Sequence, residues 1–166
     1  VWGGGDAPAR RNSIACFSPK GGVGTTMSAV NVATWLAARA PDRVLIVDLD
    51  SQFGQVATHL NLKPQLTIAE LARDDQSLRE PELLRAYAIQ HASGLAVLAA
   101  PGTPDSGRLI TSEQVNPALS TARTAHVTHR LDAGSCPDPR YLARRARAEG
   151  GRAPRATAIS ALPSRS

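Results

Sequence analysis

The chain has 166 residues, which is enough for one domain and short for two. Its content of 42% apolar and 20% charged residues permits a packed core. No apolar run approaches the roughly 20 residues of a membrane-spanning helix, and no segment resembles a secretory signal. The two cysteines, Cys16 and Cys136, exclude a disulfide-rich scaffold, so we expect a reduced, cytoplasmic protein without a transmembrane segment.

The formal net charge of +5 is concentrated in the last third of the chain. Residues 116–166 contain nine arginines against three acidic residues, whereas residues 1–115 contain 10 basic and 11 acidic residues. Large apolar side chains are also scarce after residue 115, and such a segment buries too little surface to fold well. We therefore predict a loose lead-in at 1–12, a globular body at 13–115 and a degenerate or disordered arginine-rich tail at 116–166.

The body begins with a strand signal, a glycine-rich loop, a helix signal and a second strand signal. Residues 13–17 form a short apolar run that predicts a buried strand. Apolar residues recur at helical spacing from Met27 until Pro41. Residues 44–49 are almost continuously aliphatic, which is typical of a strand buried on both faces of a parallel sheet. This order predicts a βαβ unit and an α/β fold with a parallel sheet.

Four further elements are predicted downstream. Residues 67–70 match a capping box, so a short helix should follow. A helix should begin at Pro81 and continue to Ile89. Residues 95–100 predict a third buried strand, and another helix should begin at Thr111, with Pro117 kinking or ending it.

The segment 18–26 (SPKGGVGTT), here called the phosphate loop, has the composition of a phosphate-binding site. Its glycines allow successive backbone N–H groups to surround a phosphate, and the following helix adds the positive end of its dipole. A threonine hydroxyl at the start of that helix can ligate Mg²⁺. The residues expected to bind the phosphates are Lys20, Gly21, Gly22, Val23, Gly24, Thr25 and Thr26.

The phosphate loop departs from the general pattern G-x-x-x-x-G-K-[ST] at two positions. Pro19 occupies the position of the first glycine, and Thr25 occupies the position of the lysine. Lys20 supplies the positive charge from the beginning of the loop instead. The alternative interpretation is a surface turn without a ligand.

Residues 18–26 and residues 44–55 (VLIVDLDSQFGQ) resemble the deviant Walker A ATPases of the ParA/MinD superfamily. The early lysine matches Lys20, and a strand that ends in D-x-D matches Asp48 and Asp50. Within the superfamily, the chain is most similar to the CpaE/TadZ branch, which positions the Flp/Tad pilus assembly machinery. The resemblance implies a P-loop NTPase fold with ATP and Mg²⁺ as cofactors, and it extends over residues 13–115.

The resemblance also implies a role for each matching residue. Lys20 would reach the phosphates, including those of the partner's nucleotide in an ATP-dependent homodimer. Thr26 would hold Mg²⁺, Asp50 would orient the attacking water, and Asp48 would support the metal or its water shell. Such a site fits phosphoryl transfer, which depends on positioning and charge neutralisation. The alternative for both aspartates is a pair of solvated carboxylates at a strand end.

A second acidic motif of the superfamily has a partial match at residues 132–135 (DAGS), which makes Asp132 a further candidate metal ligand. The preceding residues 125–131 (AHVTHRL) lack the expected aliphatic strand. We therefore expect a sheet without its later strands, from a truncated or frameshifted chain. A zinc site at His126, His129 and Cys136 has no evident fourth ligand.

Three functions remain open from the sequence. The first is a slowly hydrolysing ATPase that acts as a dimerisation and positioning switch in pilus assembly or polar localisation, peripheral at the membrane or cell pole. The second is a chromosome- or plasmid-partition ATPase that binds DNA non-specifically. The third is an inactive remnant that at most binds nucleotide. The arginine-rich tail adds a possible contact with DNA or another acidic surface.

Overall fold

The computed structural model describes residues 12–18, 22–50, 54–103, 105–106, 112–125, 129–133 and 157–160. These residues form strands and helices that alternate along much of the chain. In chain order they are β1 Asn12–Phe17, α1 Thr25–Ala37, β2 Val44–Asp48, α2 Val56–His59, α3 Ile68–Leu71, α4 Pro81–Ala86, β3 Ile89–Gln90, β4 Leu95–Leu98, α5 Ser112–Ala125, β5 His129–Ala133 and β6 Thr157–Ser160.

The strands form one sheet in the order β3-β4-β2-β5-β1-β6. All neighbouring strands are parallel except β3, which runs antiparallel to β4. The carboxyl ends of the five parallel strands therefore meet at one edge of the sheet, here called the carboxyl edge. The predicted α/β fold with a parallel sheet is confirmed.

Helices cover both faces of the sheet. All five residues of β2 are buried, and the side chains of residues 44–47 alternate between two apolar clusters. Val44 and Ile46 pack in the cluster that contains α1, whereas Leu45 and Val47 pack in the cluster that contains α3, α4 and α5. This two-sided burial explains why β2 is a continuous aliphatic run.

The capping box predicted at residues 67–70 is present. The Thr67 hydroxyl accepts a hydrogen bond from the Ala69 N–H at 3.1 Å, and the Glu70 carboxylate accepts one from the Thr67 N–H at 2.9 Å. The helix predicted from Pro81 does begin there, but it ends at Ala86 and does not reach Ile89. Residues 89–90 form β3 instead, because pairing with β4 satisfies backbone groups that would otherwise be left at the sheet edge.

Of the two outcomes predicted for Pro117, a kink or an end of the helix, the end is wrong, because α5 continues through Pro117 to Ala125. A proline in a helix interior costs about 3 kcal/mol, so tertiary contacts must offset that cost. The Gln114 side chain donates to the Ala72 carbonyl at 3.1 Å, and the buried Thr121 hydroxyl donates to the Leu78 carbonyl at 2.6 Å. Apolar residues of the same helix pack into the core beside them.

Elements also lie beyond residue 115, where the sequence predicted a weakly folding tail. The helix α5 crosses this boundary, β5 occupies the centre of the sheet between β2 and β1, and β6 pairs with β1. The sequence HRLDA of β5 is not aliphatic, but pairing on both sides satisfies its backbone groups whatever its side chains. The rest of the predicted division stays a prediction, because residues 1–11, 134–156 and 161–166 lie outside the described residues. Within the described part of the chain, no helix is both long and apolar enough to cross a bilayer.

Candidate functional site

Three candidate segments meet at the carboxyl edge of the sheet. The phosphate loop follows β1, and the segment with Asp48 and Asp50 follows β2. Asp132 lies in β5 between them, in register with Ala15 of β1 and Val47 of β2. The parallel topology thus brings together sequence segments that are far apart in the chain, at the edge where open α/β sheets bind ligands.

The described part of the phosphate loop has the backbone of an anion cradle. Gly22 and Gly24 have φ angles of 76° and 80°, in the left-handed region that favours glycine. A Cβ added at either glycine would meet no described atom within 4 Å, so the space beside the loop is open. Lys20 and Gly21, which were also predicted to bind phosphates, lie outside the described residues.

Among the described residues, no side chain caps the amino terminus of α1. Gly24 is its N-cap, and its first turn contains no acidic residue. The first helical hydrogen bond runs from the Ser28 N–H to the Gly24 carbonyl at 2.9 Å. Uncapped N–H groups and the helix dipole together favour a bound anion at this position.

The three side chains that follow in the loop differ in exposure. Val23 is exposed, whereas Thr25 and Thr26 are half-buried. The Thr25 hydroxyl oxygen is buried without a hydrogen-bond partner. Leaving such a group unpaired costs about 1–3 kcal/mol. Thr25, at the position of the usual lysine, therefore carries a buried hydroxyl whose desolvation is not compensated by a hydrogen bond.

Asp48 is buried at the end of β2, with 2% of its surface exposed. Its Oδ1 accepts a hydrogen bond from the Asp50 N–H at 3.1 Å, and its Oδ2 accepts one from the Val56 N–H at 3.1 Å. Burial raises the pKa of Asp48 to about 6, because desolvation of the charge outweighs the stabilisation by these N–H donors. The nearby charge of Asp50 contributes to this raised pKa.

Asp50 lies two residues beyond Asp48 and is half-buried. Its backbone N–H is fixed by the Asp48 carboxylate, so the buried aspartate holds the backbone of the more accessible one. A buried, hydrogen-bonded Asp48 is not a solvated strand-end carboxylate. That alternative is therefore wrong for Asp48.

Gly54 is a residue of this site to which the sequence assigned no role. A Cβ added there would overlap the Ala100 Cβ and would lie 2.7 Å from the Asp48 Oδ2. Its only sequence signal is its position in DLDSQFGQ, four residues after Asp50. Side-chain packing at the end of β4 could not be deduced from that segment.

The residues present fit a nucleotide phosphate with Mg²⁺ better than a metal ion held by protein side chains alone. Among the described residues, no group of three or more histidine, cysteine or acidic side chains is placed to hold a metal. Mg²⁺ needs fewer protein ligands, because it is commonly bound by one or two carboxylates together with phosphates and water. Two members of the suggested zinc set, His126 and Cys136, lie outside the described residues, and Cys16 is a buried core residue as expected.

Solved structures with the same fold include ParA and MinD ATPases. A ParA family ATPase from Chlorobium tepidum matches with a TM-score of 0.67 and 24% identity over 78% of this chain and 54% of its own. The septum site-determining protein MinD from Pyrococcus horikoshii, complexed with Mg-ADP, matches with a TM-score of 0.63 and 17% identity over 75% of this chain and 49% of its own. A plasmid partition protein from Borrelia burgdorferi matches with a TM-score of 0.56 and 19% identity over 76% and 56%.

These matches show that the chain has the ParA/MinD P-loop ATPase fold and spans about half the length of the solved structures. No curated protein sequence gives a significant match. Residues 11–95, just over half of the chain, match the family described as the AAA domain. The chain belongs to this AAA domain family.

Proposed function

We propose that the chain binds Mg·ATP at the carboxyl edge of its sheet and hydrolyses it slowly as a nucleotide-dependent dimerisation switch. The observation that carries this proposal is the uncapped Gly22–Gly24 turn at the amino terminus of α1, on the same sheet edge as Asp48 and Asp50. A left-handed glycine turn supplies phosphate donors, and the acidic segment supplies oxygen ligands for a cation.

Each residue of the site has a separate task in this proposal. Backbone N–H groups of the phosphate loop bind the phosphates, and the Thr26 hydroxyl ligates Mg²⁺, with Asp132 as a further candidate ligand. The metal neutralises phosphate charge. Asp50 orients the attacking water. Asp48 fixes the Asp50 N–H and supports the metal's water shell.

Thr25 makes the proposed site weaker than one with a lysine in its place. A charged hydrogen bond from a loop lysine is worth about 1.5–3 kcal/mol, so its loss weakens nucleotide binding by about one to two decades. Lys20, reaching across a homodimer, would restore part of that stabilisation. Turnover per chain should therefore rise with protein concentration. Turnover that is constant per chain over a wide concentration range would contradict the dimer switch.

The direct test is calorimetric titration of the full chain with Mg·ATP. The chain has only two lysines, and exposed Lys63 provides a matched control for Lys20. Lys20→Ala should weaken binding by about tenfold or more, whereas Lys63→Ala should leave it unchanged. Equal affinities in the two variants would contradict the assignment of Lys20. Hydrolysis by the wild type that disappears in Lys20→Ala would exclude the inactive remnant.

A partition ATPase is the second candidate, and the similarity to the Borrelia plasmid partition protein favours it. DNA binding that requires ATP, falls steeply with salt and survives replacement of the arginines in residues 134–156 by alanine would support this candidate. The pilus-positioning role rests on the resemblance to the CpaE/TadZ branch alone. ATP-dependent binding to pilus-assembly components without DNA binding would support that role.

A further inference from the structure

Two backbone N–H groups from the end of β2 to the start of α2 are bound by the Asp48 side chain. The two carboxylate oxygens of Asp48 accept one backbone N–H each, from Asp50 and from Val56. Val56 is the first residue of α2, and the first N–H groups of a helix have no partner within the helix. Asp48 therefore ties both ends of the segment 50–56 to the end of β2; we call this arrangement the Asp48 clasp.

Gly54 lies close to the carboxylate of Asp48. A Cβ built on Gly54 would overlap the Ala100 Cβ, lie 2.7 Å from the Asp48 Oδ2 and lie 3.0 Å from the Asp50 carbonyl oxygen. The φ angle of Gly54 is not in the left-handed region, so a side chain is excluded by lack of space and not by backbone strain. Ala100 follows β4 and is itself buried, so it forms a wall on the far side of the glycine.

We propose that Gly54 is a positioning residue of this site: its lack of a side chain lets residues 54–56 close against Ala100, so that the Asp48 clasp holds Asp50 in place. This inference rests on the proposed function for its consequence in hydrolysis. The clasp itself can be measured without nucleotide. Any side chain at Gly54 must displace either Ala100 or the clasp.

The placement predicts which step a change at Gly54 affects. The three atoms closest to a Cβ built on Gly54 belong to Ala100, Asp48 and Asp50, and none of these residues is part of the phosphate loop. A displaced clasp should therefore lower kcat much more than it lowers affinity for Mg·ADP. Misplacement of catalytic groups by about 1 Å can cost about a hundredfold in rate, so a ten- to hundredfold fall in kcat is expected for Gly54→Ala.

The experiment compares Gly54→Ala, Ala100→Gly, the double variant and the control Gly102→Ala in the full chain. Gly102 is four residues beyond β4 in sequence, and a Cβ added there would meet nothing within 4 Å. The first readout is amide hydrogen exchange of Val56 and Asp50 in the absence of nucleotide. The Ala69 N–H, which is held by the Thr67 hydroxyl elsewhere in the fold, is the internal reference amide.

In Gly54→Ala, exchange at Val56 and Asp50 should accelerate by about tenfold or more relative to Ala69, because the clasp can no longer close. The double variant should recover part of this protection, since the overlap with Ala100 is gone while the contacts with Asp48 and Asp50 remain. If Gly54→Ala does not fold, the double variant is compared with wild type instead. Its exchange at Val56 and Asp50 should be faster than in wild type.

Protection at Val56 that matches wild type in Gly54→Ala would overturn the proposal, as would a double variant without any recovery. The second readout is the affinity for Mg·ADP, which distinguishes failure of this proposal from failure of the proposed function. Accelerated exchange in a protein whose wild type binds no Mg·ADP would mean that the clasp exists and the nucleotide function fails. Unchanged exchange in Gly54→Ala, in a protein whose wild type binds Mg·ADP, would mean that this proposal fails and the nucleotide function stands.

Discussion

The buried carboxyl group of Asp48 should make stability fall as the pH rises. Its pKa is raised from 3.8 to about 6 in the folded protein, so the folded chain binds this proton more tightly than the unfolded chain does. The free energy of unfolding contributed by the neutral form is therefore fully present below the unfolded pKa. It is lost as the pH rises through the folded pKa, and at neutral pH ionised Asp48 opposes folding.

The size of the effect follows from the pKa difference. A rise of the pKa from 3.8 to about 6, at about 1.36 kcal/mol per pKa unit, gives a total of about 3 kcal/mol. About 2 kcal/mol of this total falls between about pH 4.5 and about pH 7.5, where proteins are convenient to measure. The Asp48→Asn variant does not titrate at this position, so it lacks this term at every pH.

The assay is urea unfolding of wild type and Asp48→Asn across this pH range, with EDTA present to exclude metal ions. The stability of Asp48→Asn relative to wild type should rise by about 2 kcal/mol between the two ends of the range. The loss of a hydrogen bond in Asp48→Asn shifts this difference by a constant and leaves its slope unchanged. A difference that stays constant with pH would show that Asp48 is not desolvated as described.

Asp74→Asn is the control with the opposite sign. Hydrogen bonds from Ser77 and Tyr87 lower the pKa of Asp74, so its contribution to stability is present above the ordinary aspartate pKa and is lost as the pH falls. The difference in free energy of unfolding between wild type and Asp74→Asn should therefore shrink as the pH falls. The two variants thus distinguish a specific desolvation of Asp48 from a general acid effect.

Three further predictions concern the phosphate loop and the helix contacts. Thr25→Lys should tighten Mg·ATP binding by about ten- to a hundredfold in calorimetric titration, whereas Thr25→Val should stabilise the nucleotide-free protein by about 1 kcal/mol, because it removes a buried hydroxyl without a partner. Unchanged stability in Thr25→Val would contradict a buried Thr25 hydroxyl without a hydrogen-bond partner. Thr67→Ala should lower the free energy of unfolding by about 1 kcal/mol through loss of the α3 cap, whereas exposed Thr58→Ala should not. Tyr87→Phe should lower the urea midpoint at neutral pH, and this loss should shrink once Asp74 is protonated; an effect that is independent of pH would contradict the bond between them.

The elements that could be predicted from the sequence are those in which a few neighbouring residues reflect their structural environment. The aliphatic run of β2, the capping box before α3 and the glycine turn before α1 each express a local physical requirement that is legible in a few residues. The sequence also identified the segment that contains Asp48 and Asp50, but it assigned no role to Gly54. That role depends on Ala100, which is 46 positions away in the chain and meets Gly54 only in the folded protein.

The failures have the same origin. The strand β5 was missed because its polar sequence gives no aliphatic signal, while its pairing on both sides is a property of the whole sheet. The helix α5 continues through Pro117 because Gln114 and Thr121 bind carbonyls more than forty residues earlier. In both cases tertiary contacts override a local preference that the sequence alone reports correctly.

The measurement that tests the nucleotide site most directly is a thermal melt of the full chain with and without Mg·ATP, repeated for Lys20→Ala and Lys63→Ala. A ligand at about 100 times its dissociation constant stabilises a fold by about 2.7 kcal/mol, which corresponds to an upward shift of several degrees in a domain of this size. We predict this shift for the wild type and for Lys63→Ala, and a much smaller shift for Lys20→Ala. A cooperative transition that does not move in millimolar Mg·ATP would contradict a nucleotide site at the carboxyl edge.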